Sequence, residues 1–370
     1  MTYSKPRIFL LSGLLAAALQ ASSVAAQEKN LTLFVGASAV KTVEDLMPGL
    51  NKSLKPEIVT NMDGNRVISS FCGAPHGDQK VLILSRKMSQ SEIQKCEKDQ
   101  GGFIGLQIAS FILGLASNSP SLSFDASPKI IYLGLADEVP RSAISKSNLS
   151  LSTRLKLLGD SSDSFIHNPF RTWRDIDARL PDVEINFIVP EAGTARLILD
   201  GRIMEAGCRD FKEVGNIFTA EMRIRTCTQL RKDGAVAITK GVSFQDTKKV
   251  LLASKNPTLA LVPHVDLRSR DLTVLSMKGK SPLDADFDPV NFTIRRDTSV
   301  YVFEQAVFGK GPSQEASASA AYLTYFLSDA VIGPEGALFK AGFYPLDQKG
   351  RQDMRATIPK MRGLGNMGVN

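Results

Sequence analysis

The feature that most constrains this chain is the exchange, along most of its length, of short β-rich apolar runs with segments whose apolar residues recur at helical spacing. Leu31-Thr32-Leu33-Phe34-Val35 is one such run. It ends in the small residues Gly36-Ala37-Ser38 and gives way to a helical pattern through Val43, Leu46 and Leu50. Apolar runs predict further strands at 57–61, 81–84, 104–108, 130–133, 184–189 and 259–263. Helical spacing predicts helices at 66–72, 89–99, 195–206, 245–254 and 317–328. Strands that alternate with helices are joined by crossovers, so the expected class is α/β with mostly parallel sheet. The Ser- and Asn-rich stretch 140–168 carries no such pattern and is expected to wrap the surface, while residues from Gln348 onward are expected to be loosely held. No internal repeat is visible.

Composition agrees with a packed α/β protein. The 370 residues are 43% apolar and 22% charged, values that exclude a disordered chain and leave enough apolar surface for two domains or one large one. Lys and Arg number 45 against 38 Asp and Glu, a formal charge of +7 that favours anionic partners only weakly. Nucleic acid is not expected as a partner: there is one Trp, and no basic run interleaves with aromatic residues.

The first 26 residues carry Lys5 and Arg7, an apolar stretch over 8–19, and the small-residue run Ala21-Ser22-Ser23-Val24-Ala25-Ala26. This is the layout of a secretory signal peptide, with cleavage expected after Ala26. Roughly twelve apolar residues span about 18 Å as a helix, too short for a hydrocarbon core of about 30 Å. The mature chain is therefore expected to be exported and to be soluble. Export favours disulfides, and Cys72, Cys96, Cys208 and Cys227 allow three pairings. The sequential one, Cys72 with Cys96 and Cys208 with Cys227, is favoured because it closes two loops of similar size, each stabilising by about 3 kcal/mol in the chain-entropy account. A zinc site is the sharper alternative, but there is no CxxC, and His76, His167 and His264 stand in unrelated contexts. No metal, cofactor or catalytic residue is expected. There is no GxSxG elbow, and Asp284-Ala285-Asp286-Phe287-Asp288 lacks the central Gly and distal Glu of a calcium loop.

Two segments have the form strand, small-residue turn, helix start: Val35-Gly36-Ala37-Ser38-Ala39-Val40 and Val189-Pro190-Glu191-Ala192-Gly193-Thr194-Ala195-Arg196. Such turns can aim backbone N–H groups and hydroxyls at an anion, although each alone is ordinarily a helix cap. Together with Phe71-Cys72-Gly73, Leu84-Ser85-Arg86-Lys87-Met88, Glu92, Cys96, Trp173-Arg174-Asp175-Ile176, Met204-Glu205-Ala206-Gly207-Cys208, Leu230-Arg231-Lys232-Asp233-Gly234 and Gly342-Phe343-Tyr344-Pro345-Leu346, they occur in a characteristic order. In these motifs the chain resembles the periplasmic phosphate-binding proteins of ABC phosphate importers over nearly all of residues 31–346.

The resemblance implies a two-lobed, periplasmic-binding-protein-like (type II) α/β fold whose chain crosses a hinge twice, near 108–117 and 295–303. Lobe one would comprise 27–112 plus 300–370, and lobe two 113–299. It also implies a monomer that closes on a small inorganic anion, phosphate foremost, for delivery to an inner-membrane ABC permease, and it supports the sequential disulfides. Carried over position by position, the ligand-binding set would be Ser38, Ala39, Asn65, Arg66, Ser85, Arg86, Gly193, Thr194 and Arg196. Several of these depart from the family's pattern. Ala192 and Ala39 stand where it has hydroxyls, Asp63-Gly64-Asn65-Arg66-Val67 replaces a Gly-rich turn, Arg196 lies one place beyond the usual Arg, and Ser110 replaces an Asp. Each hydrogen bond to a charge lost in this way costs roughly 1.5–3 kcal/mol. The alternative reading is a divergent paralogue with a lost or changed ligand, acting in sensing or as an envelope interaction protein.

Overall fold

A computed structural model describes residues 31–36, 43, 56–61, 64–73, 79–100, 102–160, 162–217, 219–240, 246–289, 292–303 and 318–356. Its strands, in chain order, are β1 (Leu31–Gly36), β2 (Glu57–Asn61), β3 (Gln79–Leu84), β4 (Phe103–Ser117), β5 (Glu138–Pro140), β6 (Phe165–His167), β7 (Phe187–Pro190), β8 (Val236–Thr239), β9 (Leu259–Pro263), β10 (Thr273–Leu275), β11 (Arg295–Phe303) and β12 (Phe343–Tyr344). All but the β5–β6 pair join one ten-stranded sheet in the order β2-β1-β3-β11-β4-β9-β7-β8, with β10 and β12 also on β4.

The sheet is parallel at its two flanks, where β1 pairs with β2 and β3, and β7 with β8 and β9. Its centre, made by β11 and β4, is antiparallel. The expectation of mostly parallel sheet therefore holds for the flanks and is corrected in the middle. The reason lies in β4, whose 15 residues run well beyond the expected 104–108 because the apolar sequence continues through Phe111, Ile112, Leu113 and Leu115, all buried. At about 3.3 Å per residue such a strand reaches roughly 50 Å. Its first part pairs with β11 as far as Ile112, and from Leu113 it pairs with β9. One strand thus serves both halves of a two-lobed fold.

Burial on every side misled the pattern at 130–133. These residues form part of a helix, Pro128–Leu135, capped by Ser127 with Pro at its first turn and buried at Ile131, Tyr132, Leu133 and Leu135. A short run that is apolar all round has no period to separate strand from helix. The stretch 140–168 is also more regular than expected, with helices Arg141–Lys146 and Leu151–Gly159 and the β5–β6 pair. No residue of the second of these helices is fully buried; Leu157 and Leu158 pack partly buried against the core, and Leu151 and Leu155 stay exposed.

Both sequential disulfides are formed. Cys72–Cys96 joins helices Gly64–Gly73 and Gln90–Gln100, and Cys208–Cys227 joins Ala206–Cys208 to Ala220–Thr228. Gly207 lies against the helix Pro128–Leu135 so closely that a Cβ there would stand 2.2 Å from the Pro128 carbonyl oxygen. Among the described residues no helix is long and apolar enough to cross a membrane.

Candidate functional site

The site is built where the turn after β3, the helical stretch after β7, and β11 converge. Ser85, Arg86 and Lys87 share a cavity of about 420 Å³ with Leu197, Ile198, Gly201 and Arg202, and with Arg295 and Asp297 of β11.

The first wall is fixed locally. Buried β3 delivers Ser85, only 8% exposed, at the end of the strand. Glu92 then closes a reciprocal cap with Ser89: its carboxylate accepts from the Ser89 N–H at 2.7 Å, and the Ser89 hydroxyl accepts from the Glu92 N–H at 3.3 Å. The same carboxylate takes a two-pronged grip from Arg86 at 2.6 and 2.8 Å. That hydrogen bonding is the main reason the Glu92 carboxyl is held down at about 2, against an opposing effect of burial. Arg86 also donates to Asn65 Oδ1 at 3.4 Å, and the Met88 N–H donates to the Tyr301 hydroxyl at 2.8 Å, which ties the turn to β11.

The second wall departs from α-helical register. The helix Gly193–Ile198 starts on Ala192, which makes no side-chain cap, and runs into a π-helix, Leu199–Glu205, before Ala206–Cys208. A π-turn accommodates an extra residue in a helix, and such turns recur at functional sites. Arg196 is held within this wall, its Nε donating to both Asp200 oxygens at 2.8 and 2.9 Å. Burial pushes the Asp200 carboxyl up, and Arg196 opposes that push. The cation that lines the cavity from this wall is Arg202, on the π-turn.

Between the walls, Asp297 accepts on Oδ1 from Arg295 at 2.6 Å and from the Ser110 hydroxyl at 2.9 Å. Oδ2 accepts no hydrogen bond from a described residue. Burial raises this carboxyl, but the bonds from Arg295 and Ser110 and the charges of Arg295 and Lys87 outweigh it, so Asp297 titrates below the ordinary range. Asp297 and Ser110 are cross-strand partners in the ladder, which places a carboxylate of β11 beside position 110. Arg86 and Arg295 are both ion-paired. Lys87 and Arg202 make no side-chain hydrogen bond or ion pair with a described residue.

Of the residues expected from sequence, Ser85 and Arg86 line the cavity and Asn65 reaches Arg86. Arg66 is exposed on the same helix as Asn65. Gly193 and Thr194 begin the helix of the second wall, while Arg196 faces Asp200. Ser38 and Ala39 lie outside the described residues. Lys87, Arg202, Arg295 and Asp297 were not singled out. Lys87 stood inside the Ser-Arg motif and Arg295 at the expected hinge, but Arg202 and Asp297 depend on a π-turn and on a strand register. A second cavity, of about 650 Å³, includes Lys129, Asp177, Arg179 and Phe211. Its charges are partly engaged already, Arg179 by Asp177 at 2.6 Å and Lys129 over the Phe211 ring at 4.6 Å.

The chain has a two-lobed α/β fold of the periplasmic-binding-protein type. Among solved structures it is similar to a possible phosphate-binding protein from Planctomyces limnophilus, at TM-score 0.56 and 13% identity over 90% of this chain and 98% of that one. It is also similar to an ABC-type phosphate transport receptor from Vibrio cholerae, at TM-score 0.48 and 10% identity, covering 86% of this chain and 100% of that one. PstS from Borrelia burgdorferi is a further likeness, at TM-score 0.49 and 14% identity over the same shares. No protein-family profile matches the chain, and no curated protein matches it by sequence.

Proposed function

We propose that this protein is an exported, monomeric solute-binding protein that holds a small oxyanion, phosphate foremost, between its two lobes and hands it to an inner-membrane ABC permease. The signal-like segment ending at Ala26 directs export, and lobes of 27–112 plus 300–370 and 113–299 close about β4 and β11. The observation that carries the reading is the pair Lys87 and Arg202, which bring positive charge to one cavity from two different elements and make no side-chain hydrogen bond or ion pair with a described residue. Asp297 between them is an acceptor for an anion that retains a proton. The fold that the chain shares with the possible phosphate-binding protein from Planctomyces limnophilus supports the choice of anion.

The test is a thermal-melt panel on ligand-free chain from Gln27, with phosphate, sulfate and nitrate. Ligand at about 100 times its Kd adds about 2.7 kcal/mol, a shift of a few degrees for a protein of this size. A shift with phosphate that exceeds the shift with sulfate is expected. No shift with any anion would refute the reading.

A further inference from the structure

The cleft is larger than an inorganic anion needs, and part of its wall is apolar. Its volume of about 420 Å³ would hold roughly a dozen waters at their liquid share of about 30 Å³ each, and it falls within the ~300–1,000 Å³ of sites that enclose organic ligands. Leu197, 48% exposed, lines the cavity together with Ile198 and Arg202. At Gly201 an added Cβ would meet no atom within 4 Å, so the space beside Arg202 is open. A half-exposed leucine gains nothing from a hydrated inorganic ion. Covered by an apolar substituent, it is removed from water. At the polar end, the carboxylate of Asp297 keeps Oδ2 open to a protonated oxygen, which sulfonates cannot offer and which phosphorus oxyanions, with a second pKa of about 6 or above, can retain.

Building on the anion-binding reading above, we infer that the cleft takes a tetrahedral phosphorus oxyanion bearing a short apolar substituent. The phosphorus end would sit at Lys87, Arg202 and Asp297, and the substituent against Leu197 and over Gly201. An alkylphosphonate and an alkyl phosphate monoester share this chemistry.

Titration calorimetry at pH 7 on the ligand-free chain from Gln27 separates the cases, with inorganic phosphate, propylphosphonate, propyl phosphate and propanesulfonate as probes. At least one propyl phosphorus ligand is expected to bind about tenfold or more tightly than phosphate, and the tighter of the two identifies the source. Propanesulfonate is expected to bind about tenfold or more weakly than propylphosphonate. Leu197→Ser is expected to lower the affinity ratio of propylphosphonate to phosphate by about fivefold. Phosphate binding as tightly as both propyl ligands, propanesulfonate matching propylphosphonate, or an unchanged ratio in Leu197→Ser would each overturn the inference and leave the anion-binding reading standing. No binding of any probe would overturn both.

Discussion

The two walls of the cleft each present an arginine that the sequence nominates as a ligand, and each arginine is gripped by a nearby carboxylate, yet only one of them lines the cavity. Arg86 sits on a tight turn between a buried strand and a capped helix, and its pairing with Glu92 leaves it at the cleft. Arg196 sits on a helix that changes register to a π-turn, and its pairing with Asp200 leaves Arg202 as that wall's contribution. A motif in a short turn fixes its side chains by local bonds. A motif at the head of a helix passes its geometry down the helix, where one π-turn redirects it.

The comparison breaks most readily at Gly207, where the second wall leans on the helix Pro128–Leu135. Gly207→Ala puts a Cβ 2.2 Å from a backbone carbonyl that cannot rotate away, and is expected to cost about 3 kcal/mol or more, read as a fall in denaturant midpoint. A loss below 1 kcal/mol would mean that the wall is free to shift. Removing either disulfide comes next. Cys72→Ala with Cys96→Ala and Cys208→Ala with Cys227→Ala each close comparable loops, of 24 and 19 residues of separation. Each double substitution is expected to cost about 3 kcal/mol in the same assay, with a difference between walls of less than about 1 kcal/mol.

A smaller effect is expected from Asp297→Asn, which keeps shape but exchanges a pure acceptor for an amide. The preference for phosphate over sulfate should fall about tenfold in competition calorimetry; an unchanged preference would remove Asp297 from ligand selection. The smallest effect concerns Glu92, whose carboxyl is lowered from 4.5 to about 2 by Arg86 first. Because its folded value lies below its unfolded one, the stability it contributes is present in full above about pH 4.5 and is lost as pH falls toward about 2. Glu92→Gln should flatten that part of the stability profile, and an identical acid profile in the variant would show that the pairing adds nothing.

Much of this architecture was legible in the sequence because the forces that set it are local. The flanking strand and helix pairs follow from apolar period, and the sequential cysteine pairing, one of three that export allows, is favoured by loop size and supported by the family resemblance. Ser85 and Arg86 were legible only through the family resemblance, and the structure holds them at a strand end beside the capping Glu92. Arg202 was not, since no composition rule marks where a helix takes on a π-turn. Asp297 was hidden for a different reason: its role depends on lying opposite Ser110, and cross-strand register is set by the whole of β4 and β11. The helix at 130–133 was misread because uniform burial erases the period on which the reading depends.

The central claim, that the second wall acts through Arg202 and not through Arg196, is tested most directly by calorimetric titration of phosphate into the wild type, Arg202→Ala and Arg196→Ala. The expected result is a loss of about tenfold or more in affinity for Arg202→Ala, from one missing charged hydrogen bond, with Arg196→Ala within about threefold of the wild type. The reverse order, with Arg196→Ala abolishing binding and Arg202→Ala leaving it intact, would contradict the account.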